Sequence, residues 1–590
     1  MASATQLRQN ANGERNKLPG FGLPFKDLPD EKDCFLDPFW KDLESIRLSP
    51  HEIRMMDFMN QVTDNPNWEE LVFDNSIVDN WQKETSSTPS KTLNRNAFKY
   101  VFLTKNMFNY CIEELRFKAK QAKETGIVDV LDANMAVAKS DTIIPSSLTR
   151  AFQASVKSLE NAPKANKDWR PKFNKTILDV VSPSLYPVTY GITRVLPYGN
   201  VPLHNCASFA GEGEITIPFY RGVHTSDHAR WGSHQMLPSD IKWSENGLKI
   251  VSYINNLHPK DYSDLYKLLE EFVAAAVPLW EECVAFVPFR CPRIDEESMD
   301  NVKDCVPEGI KFTIPDEYIE FTTSDGRHFY DEEYKQSEEY LHWLDKHEIY
   351  GIAEPRIGIG CKRIVPKESK GSKGRKVDLK TRFPDGIQVI FKLVNIRLNP
   401  EKPQFTGGDW RVEGALNDRI VATAVYDYDA RNITSSRIAF RQLSHINDEE
   451  DEIRSLEEIG SVLTRPGRMV AFPNVFQHQA KSFRLRDPTK PGYRKFLAMF
   501  LVDPNTRVLS TGVVPPQQKD WWAREVRLIA PFSKLPMEVF EMIINFVEGY
   551  PMSLEGAKVV RENLIRERIS INQDWEDFRV ESEEPYDPFW

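Results

Sequence analysis

Apolar residues recur at the spacing of an α-helix in three stretches of the chain. The first stretch is residues 96–138, with Phe98, Val101, Phe102, Met107, Phe108, Cys111 and Leu115. The second is residues 263–277, with Leu265, Leu268, Leu269, Phe272 and Ala276. The third is residues 535–566. A stripe with this period covers one face of a helix. We therefore predict three helices, the second capped by Ser263 or Asp264 and ended or kinked at Pro278.

Residues 387–504 have a different pattern, which is typical of β-strands. Runs rich in β-branched and aromatic residues alternate there with turn residues, namely IQVIFKLVNIRL, RIVATAVYDYD, SRIAFRQL, RMVAFPNVFQH and KFLAMFLVDP. Several short strands separated by turns predict a barrel or a sandwich. The basic, glycine-containing run at residues 367–382 comes before them and predicts a solvated loop.

Together these patterns predict an α+β fold, and 590 residues are too many for one ordinary core. We expect four parts: a flexible arm at residues 1–30, a mostly helical N-terminal region at 31–290, a barrel domain at 291–530, and C-terminal helices with a tail at 531–590. The chain after the arm should dock through Phe35, Phe39 and Trp40.

Composition excludes several classes of protein. Hydrophobic residues make up 41% of the chain and charged residues 28%, as in ordinary globular proteins. The net charge of −11 argues against nucleic-acid binding through bulk electrostatics. Seven cysteines without a CxxC pair predict neither a zinc ribbon nor a disulfide framework. The N-terminus lacks an apolar signal region and no apolar run approaches ~20 residues, so we expect a cytoplasmic protein that enters no membrane. The oligomeric state cannot be read from these features.

Three residues of the β-rich half have the types and spacing of a non-haem iron site. Such a site holds iron with two histidines and a carboxylate and leaves positions open for a cosubstrate and oxygen. Glu413 can supply the carboxylate, and His478 the later histidine, 65 positions further along (478 − 413). Arg494 begins an apolar strand and can pair with the distal carboxylate of 2-oxoglutarate. Alone, the residues fit surface contacts and a strand cap equally well.

Longer motifs resemble a known family. The segments are YINNLHP, IQVIFKLVNIRLNPEKP, GGDWRVEG, AFPNVFQH, FLVDP and VPPQQKDWW. They closely resemble the fungal family labelled domain of unknown function 4246, over most of the chain from near Phe35 to about Arg568. The resemblance implies a double-stranded β-helix, that is, a jelly-roll or cupin-like barrel. It also implies a relationship to dioxygenases that use Fe(II) and 2-oxoglutarate, and hence an oxidoreductase-like protein acting on an organic small molecule.

Arg411 departs from the family motif. The family usually has Trp-His-x-Glu-Gly, whereas this chain has Trp410, Arg411, Val412, Glu413 and Gly414. An arginine offers no lone pair to a metal, so it cannot replace the histidine. Iron could be held with a third ligand such as Asp409, or more distantly Asp418. Alternatively, Arg411 pairs with Glu413 in the metal's place and leaves a metal-free pseudoenzyme or a scaffold that binds small molecules or proteins. In a third alternative, the alignment of this chain with the family motif is wrong by one strand.

These considerations give a set of candidate site residues. The candidate catalytic residues are Glu413, His478 and Arg411, the cofactor-binding residue is Arg494, and the metal ligands are Glu413, His478 and Asp409. Candidate pocket walls are Trp410, Tyr426, Tyr428 and Phe476, each of which fits the barrel core equally well. We interpret the other histidines as loop, surface or structural residues, namely His224, His228, His234, His258 and His445.

Motifs of other functions are weak or missing. The chain has no GxSxG, no GxxxxGK[ST], and no GxGxxG opening a helix. The segment LPMEVFEMIINFV superficially resembles the opening of an F-box, but a packing helix explains it better than an adaptor does. No motif identifies the substrate.

Overall fold

The computed structural model describes residues 14–285, 293–294, 319–330, 355 and 377–579. Within these limits it has gaps at 26–33, 40–44, 46–47, 88–102, 133–134, 162–166, 171–174, 220–230, 246, 323–327 and 448–451. The predictions for residues 1–13, Trp40, His224, His228 and the loop at 367–376 lie outside the described residues.

Helices occupy both ends of the described chain. They are α1 (Pro50–Val62), α2 (Trp68–Leu71), α3 (Asn75–Ser87), α4 (Lys105–Thr125), α5 (Ser146–Glu160), α6 (Ser263–Val284), α7 (Leu379–Arg382), α8 (Lys519–Arg527), α9 (Met537–Phe546) and α10 (Leu554–Arg579). The helix predicted over residues 96–138 corresponds only in part to α4, which begins after Thr104, whose side chain accepts a hydrogen bond from the Met107 amide, and ends at the left-handed Gly126. Beyond Gly126 the prediction was wrong, because Val128–Val130 and Val137–Ser140 are strands, and residues 96–102 lie outside the described residues. The third predicted helix is divided into α9 and α10.

The second predicted helix, α6, is longer than expected. It passes through Pro278 and ends at Val284. Proline removes one helical hydrogen bond at a cost of ~3 kcal/mol. The helical turns before and after Pro278 are nevertheless packed into the core, where Phe272, Trp280 and Cys283 are completely buried. This burial explains why the helix does not stop at the proline.

The strands extend over the N-terminal region as well as the β-rich half. They are β1 (Leu18–Pro19), β2 (Gly22–Leu23), β3 (Val128–Val130), β4 (Val137–Ser140), β5 (Asp168–Trp169), β6 (Ile177–Val181), β7 (Val188–Thr189), β8 (Arg194–Val195), β9 (Glu214–Ile215), β10 (His234–Gln235), β11 (Ser239–Ser244), β12 (Gly247–Ile250), β13 (Ile319–Thr322), β14 (His328–Tyr330), β15 (Ile387–Leu398), β16 (Gln404–Phe405), β17 (Ile420–Arg431), β18 (Ser436–Asn447), β19 (Glu452–Thr464), β20 (Met469–Pro473), β21 (Gln477–Ala480), β22 (Phe483–Arg484) and β23 (Gly492–Val502).

Within the described ranges, ten of these strands form one large antiparallel sheet. Its order is β12-β11-β15-β23-β17-β20-β4-β3, with β6 also paired to β15 and β5 paired to β6. Among the smaller assemblies in the described ranges are a three-stranded antiparallel sheet, β19-β18-β21, and the antiparallel pair β16-β22. The fold is therefore a mixture of helices and antiparallel sheets, as predicted, and strands from before residue 291 belong to the large sheet.

The two faces of the large sheet have different neighbours. On β15, Phe391 and Leu393 join the core cluster that contains α6, whereas Ile390 joins the cluster that contains β18, β19, α1 and α4. Side chains alternate between the two faces of a strand. Lys392 therefore lies on the face of Ile390, turned away from α6. We call this the inner face.

Every helix in the described part of the chain is too short or too polar to traverse a lipid bilayer.

Candidate functional site

Backbone pairing brings the predicted site residues together. His478 lies in β21, where it pairs with Phe440 of β18. On its other side it forms a short antiparallel bridge to Arg411. The Arg411 amide donates to the His478 carbonyl at 3.2 Å, and the His478 amide donates to the Arg411 carbonyl at 2.9 Å. Residues that are 67 positions apart (478 − 411) thus become direct neighbours.

Asn474 fixes the backbone of Glu413. Its side-chain oxygen accepts a hydrogen bond from the Glu413 amide at 2.9 Å, and its side-chain nitrogen donates to the carbonyls of Glu413 and Ile420, both at 2.9 Å. Asn474 is buried, so these bonds are protected from water. The next residue, Gly414, has φ +80°, and a Cβ there would lie 2.9 Å from Asp418. The turn after Glu413 therefore requires glycine.

Two side chains converge on one oxygen of Glu413. His478 Nε2 lies 3.2 Å from Glu413 Oε1, and Arg411 Nε lies 3.3 Å from the same atom. The side chains of His478 and Glu413 are only 8% and 13% exposed, whereas Arg411 is 38% exposed. The buried pair is thus covered from the solvent side by a guanidinium.

Electrostatics determine the charge states of this group. Burial alone would raise the pKa of Glu413, but the Arg411 charge and the His478 hydrogen bond hold that pKa well below its usual range. Burial lowers the pKa of His478, although the Glu413 hydrogen bond opposes it. At neutral pH, Glu413 is therefore ionised and His478 is neutral with its proton on Nε2, facing the carboxylate. Nδ1 of His478 is buried without a hydrogen-bond partner in the described structure.

Two further cations lie within electrostatic reach of Glu413. Lys392 points from β15 into the inner face, and burial lowers its pKa to about 8, with Arg170 adding to the decrease and Glu413 opposing it. Arg170 holds Asp179 through two hydrogen bonds of 2.9 and 2.7 Å. The surroundings of Glu413 therefore contain more cations than the predicted set of metal ligands, Glu413, His478 and Asp409, would suggest.

The side chains present do not fit a three-ligand iron site. Asp409 is exposed. Asp418 is buried, and it accepts hydrogen bonds from the amides of Ala415 and Met236 and pairs with Arg568 at 2.6 Å. Within the described ranges, no three His, Cys, Asp or Glu side chains are grouped so that they could hold a metal. The expected third ligand, Asp409, is therefore not brought to Glu413 and His478, and Arg411 lies in the place of a ligand.

Arg494 is bound within the protein. Its Nε and Nη2 donate to the two oxygens of Asp427 at 2.5 and 3.0 Å, and both side chains are buried. A carboxylate of the chain itself therefore occupies the guanidinium fork that we predicted for 2-oxoglutarate.

The predicted pocket walls lie in several places. Tyr426 and Tyr428 are on the α6 side of the large sheet, where their hydroxyls bond Thr149 and Glu160. Phe476 is part of the core beside β18 and β19. Trp410 makes cation–π contacts with Arg441 and Lys481, whose charged groups lie 4.8 and 4.9 Å from the centre of its ring. Trp410 directly precedes Arg411 in the chain, so of the four it is the neighbour of a site residue in sequence.

Two of the other histidines considered in the sequence, His234 and His258, have structural contacts. His234 Nδ1 lies 2.9 Å from Ser233 Oγ and 3.3 Å from Glu567. His258 Nδ1 accepts a hydrogen bond from the Lys260 amide at 3.3 Å, as its structural interpretation predicted. His445 belongs to β18, and its side chain lies outside the described set.

Sequence reasoning overlooked Lys392, Arg170 and Asn474. Lys392 gave a usable signal, since it interrupts the apolar run IQVIFKLV at a position where alternation predicts a buried side chain. Arg170 and Asn474 gave none, because their roles depend on contacts with distant parts of the chain.

Comparison with known families defines the relationship. The family described as "Protein of unknown function (DUF4246)" matches residues 105–525, and its N-terminal domain matches residues 18–84. The chain belongs to this family. A comparison of this DUF4246 member with curated proteins found no match.

Solved structures give only distant similarities. IDO from Bacillus thuringiensis is 11% identical over 20% of this chain and 46% of that one, with a TM-score of 0.13. A bsmA homologue from Methylobium petroleophilum PM1 is 14% identical over 20% and 42%, with a TM-score of 0.14. The Fe(II)/(alpha)ketoglutarate-dependent dioxygenase TqaL is 12% identical over 26% and 54%, with a TM-score of 0.16. The chain spans about half the length of these proteins, and such low scores carry no argument about function.

Proposed function

We propose that residues 387–502 form a double-stranded β-helix of the oxygenase type, and that this DUF4246 member uses it to bind a small organic molecule without iron. The support for the first part is the strand order. β15, β17, β20 and β23 belong to the large sheet, whereas the strands between them, β16, β18, β19, β21 and β22, belong to the smaller assemblies. Alternation of this kind between two sheets is the winding of a jelly roll.

The observation that carries the second part is the contact between Arg411 and Glu413. The 3.3 Å ion pair places a permanent positive charge beside the carboxylate that iron would need. A metal ion would have to displace this guanidinium and would then find two protein ligands, Glu413 and His478. Arginine thus provides the charge compensation that iron(II) would otherwise give.

Iron-dependent oxygenation is the second candidate, and one distance favours it. His478 Nε2 and Glu413 Oε1 are 3.2 Å apart, close enough to share one metal ion. Oxygenation would require a third donor or two coordinating waters, as well as a site for 2-oxoglutarate other than the Arg494 fork. The geometry favours the metal-free function over this candidate.

Iron(II) titration by anaerobic calorimetry tests the proposal. We expect no binding to the unmodified chain, because Arg411 repels the ion. We expect binding to Arg411→His, which restores three ligands, and loss of that binding when His478→Ala is added. Arg484→His is the matched control, since it places a histidine at another, exposed arginine of the same half of the chain. Tight binding to the unmodified chain that His478→Ala abolishes would establish a working iron site and refute the proposal.

A further inference from the structure

The geometry points to a ligand class: we propose that the site binds an organic carboxylate between Lys392 and Arg411. This inference rests on the proposed metal-free function and names the chemistry of the ligand. The argument depends on which hydrogen-bond donors around Glu413 are already satisfied within the chain and which are not.

Lys392 is the first donor without a partner. In the described structure, no hydrogen bond or ion pair satisfies its Nζ, although the neighbouring strand positions Phe391 and Leu393 are buried and Lys392 itself is only partly exposed. Its Nζ is not among the buried polar atoms that lack a partner, so the ammonium can be reached by a ligand from solvent. A partly enclosed cation without a protein partner gains most from an anion that binds beside it.

Arg411 is the second donor. Its Nε reaches Glu413, but its two terminal nitrogens have no partner among the described residues. These nitrogens form the part of a guanidinium that binds both oxygens of a carboxylate. With 38% of its side chain exposed, Arg411 can be reached from solvent. It can hold Glu413 on one side and a ligand on the other.

The charge balance favours a singly charged group. Arg170 is neutralised by Asp179 through two hydrogen bonds, which leaves Lys392 and Arg411 against Glu413, a net charge of +1 in a protein whose total is −11. One carboxylate restores neutrality, whereas a dianionic phosphate would leave an excess negative charge beside buried Glu413. Burial and the nearby charge of Arg170 lower the pKa of Lys392 to about 8, while Glu413 and Asp179 oppose the decrease from a distance, without a hydrogen bond or ion pair to its ammonium among the described residues.

Calorimetry on the full chain, freed of metal ions on a chelating resin, tests the proposal with succinate and 2-oxoglutarate as carboxylate probes and inorganic phosphate as the other anion. We expect the carboxylates to bind and Lys392→Met to weaken them at least about tenfold, since a hydrogen bond to a charged group contributes roughly 1.5–3 kcal/mol. Lys242→Met is the matched control, because Lys242 is an exposed lysine of the same sheet, and it should leave binding unchanged.

A second measurement separates binding from folding. Removal of an unpaired, partly enclosed ammonium should leave the thermal midpoint of Lys392→Met unchanged or raise it. A clearly lower midpoint would show that Lys392 has a structural partner and overturn the proposal. Binding of phosphate alone, no binding of carboxylates, or equal binding by Lys392→Met would also overturn it. Iron binding to the unmodified chain would refute the metal-free function itself, so the two failures are distinguishable.

Discussion

At the scale of single residues, Arg411 decides the chemistry of its neighbours. Glu413 and His478 lie 3.2 Å apart, and the side chain that joins them at 3.3 Å from Glu413 is a guanidinium, which repels metal ions and attracts carboxylates. Arginine at position 411 therefore does more than fail to bind a metal. It gives the buried Glu413 a permanent counter-charge, which keeps the carboxylate ionised without a metal.

Gly414 supports this arrangement, and its replacement should be costly. Alanine at φ +80° costs roughly 1–2 kcal/mol from the backbone, and its Cβ would lie 2.9 Å from Asp418 and 3.0 Å from Ile420, which adds roughly 1–3 kcal/mol of overpacking. Gly467→Ala is the matched control, because Gly467 has φ +91° with no atom within 4 Å of the added carbon. Urea unfolding should show a larger loss for Gly414→Ala. Equal losses would mean that the turn accommodates the methyl group.

A site residue could be predicted when its type and its spacing from the other site residues were informative. It could not be predicted when its role depends on a partner elsewhere in the chain. Glu413 and His478 were predicted from residue type and spacing, and the structure brings their side chains to 3.2 Å, while the Arg411–Glu413 pair was one of the hypotheses that the sequence raised. The sequence did not reveal that Asp427, 67 positions away (494 − 427), fills the fork of Arg494. A guanidinium looks the same in sequence whether its carboxylate partner comes from a ligand or from the chain.

At the scale of elements, α6 covers one face of the large sheet. This is the face opposite the inner face, and we call it the outer face. Phe272 is completely buried, and its ring lies 4.7 Å from Phe152 and 5.0 Å from Tyr426. We expect Phe272→Ala to lower the free energy of unfolding by about 3–5 kcal/mol. Lys267→Ala, at a 71% exposed position of the same helix, should change it by less than about 0.5 kcal/mol. Chemical denaturation of both variants measures the difference, and a small loss for Phe272→Ala would show that α6 packs loosely.

The attachment of α10 to Ser233 and to His234 of β10 should depend on pH. Burial opposes ionisation of Glu567, but hydrogen bonds from His234 and Ser233 lower its pKa from 4.5 to about 2. A lowered pKa in the folded state stabilises the fold above pH 4.5, and the gain disappears as the pH falls towards 2. The shift corresponds to about 3 kcal/mol. Glu567→Gln should therefore unfold at lower urea than the unmodified chain at pH 7, with a much smaller difference at pH 3. A difference that does not change with pH would assign the effect to packing.

Periodicity predicted an element well where at least one of its faces is buried. It predicted an element poorly where tertiary packing outweighs a local helix-breaking residue. The long strands β15 and β17 agree with their patterns, whereas the predicted first helix extends too far, because α4 ends at Thr125 and β3 and β4 follow it. Pro278 misled the prediction for α6 because the cost of one lost hydrogen bond is visible in the sequence, whereas the burial of Trp280 and Cys283 is not. Two-residue strands such as β16 and β22 give no pattern at all.

At the scale of the whole molecule, the large sheet unites parts of the chain that sequence patterns separate. β6 and β11 pair with β15, and β4 pairs with β20. Helices α1 and α4 share a core cluster with β18 and β19. These contacts join residues hundreds of positions apart and leave no local trace in the sequence. The predicted boundary between residues 290 and 291 could not take them into account.

This architecture yields a prediction about the truncated chain of residues 291–590. Without the earlier segment, β15 loses its neighbours β6 and β11, and the outer face of the sheet loses α6, so the apolar side chains of Phe391, Tyr426 and Met499 become exposed. Such an uncovered sheet aggregates or stays unfolded. We expect the fragment to show no cooperative unfolding transition and no dispersed amide signals in solution NMR, in contrast to the full chain.

Co-expression provides the control for this prediction. If the sheet requires strands and helices from both parts, a separate chain of residues 1–290 should restore solubility to the fragment, because the missing neighbours need not be covalently joined to pair with it. The Phe272→Ala change in that added chain should weaken the rescue, since it removes the α6 contact. A fragment that folds alone, with a sharp transition and native-like spectra, would instead show that residues 291–590 form an independent domain to which the earlier strands and helices merely dock.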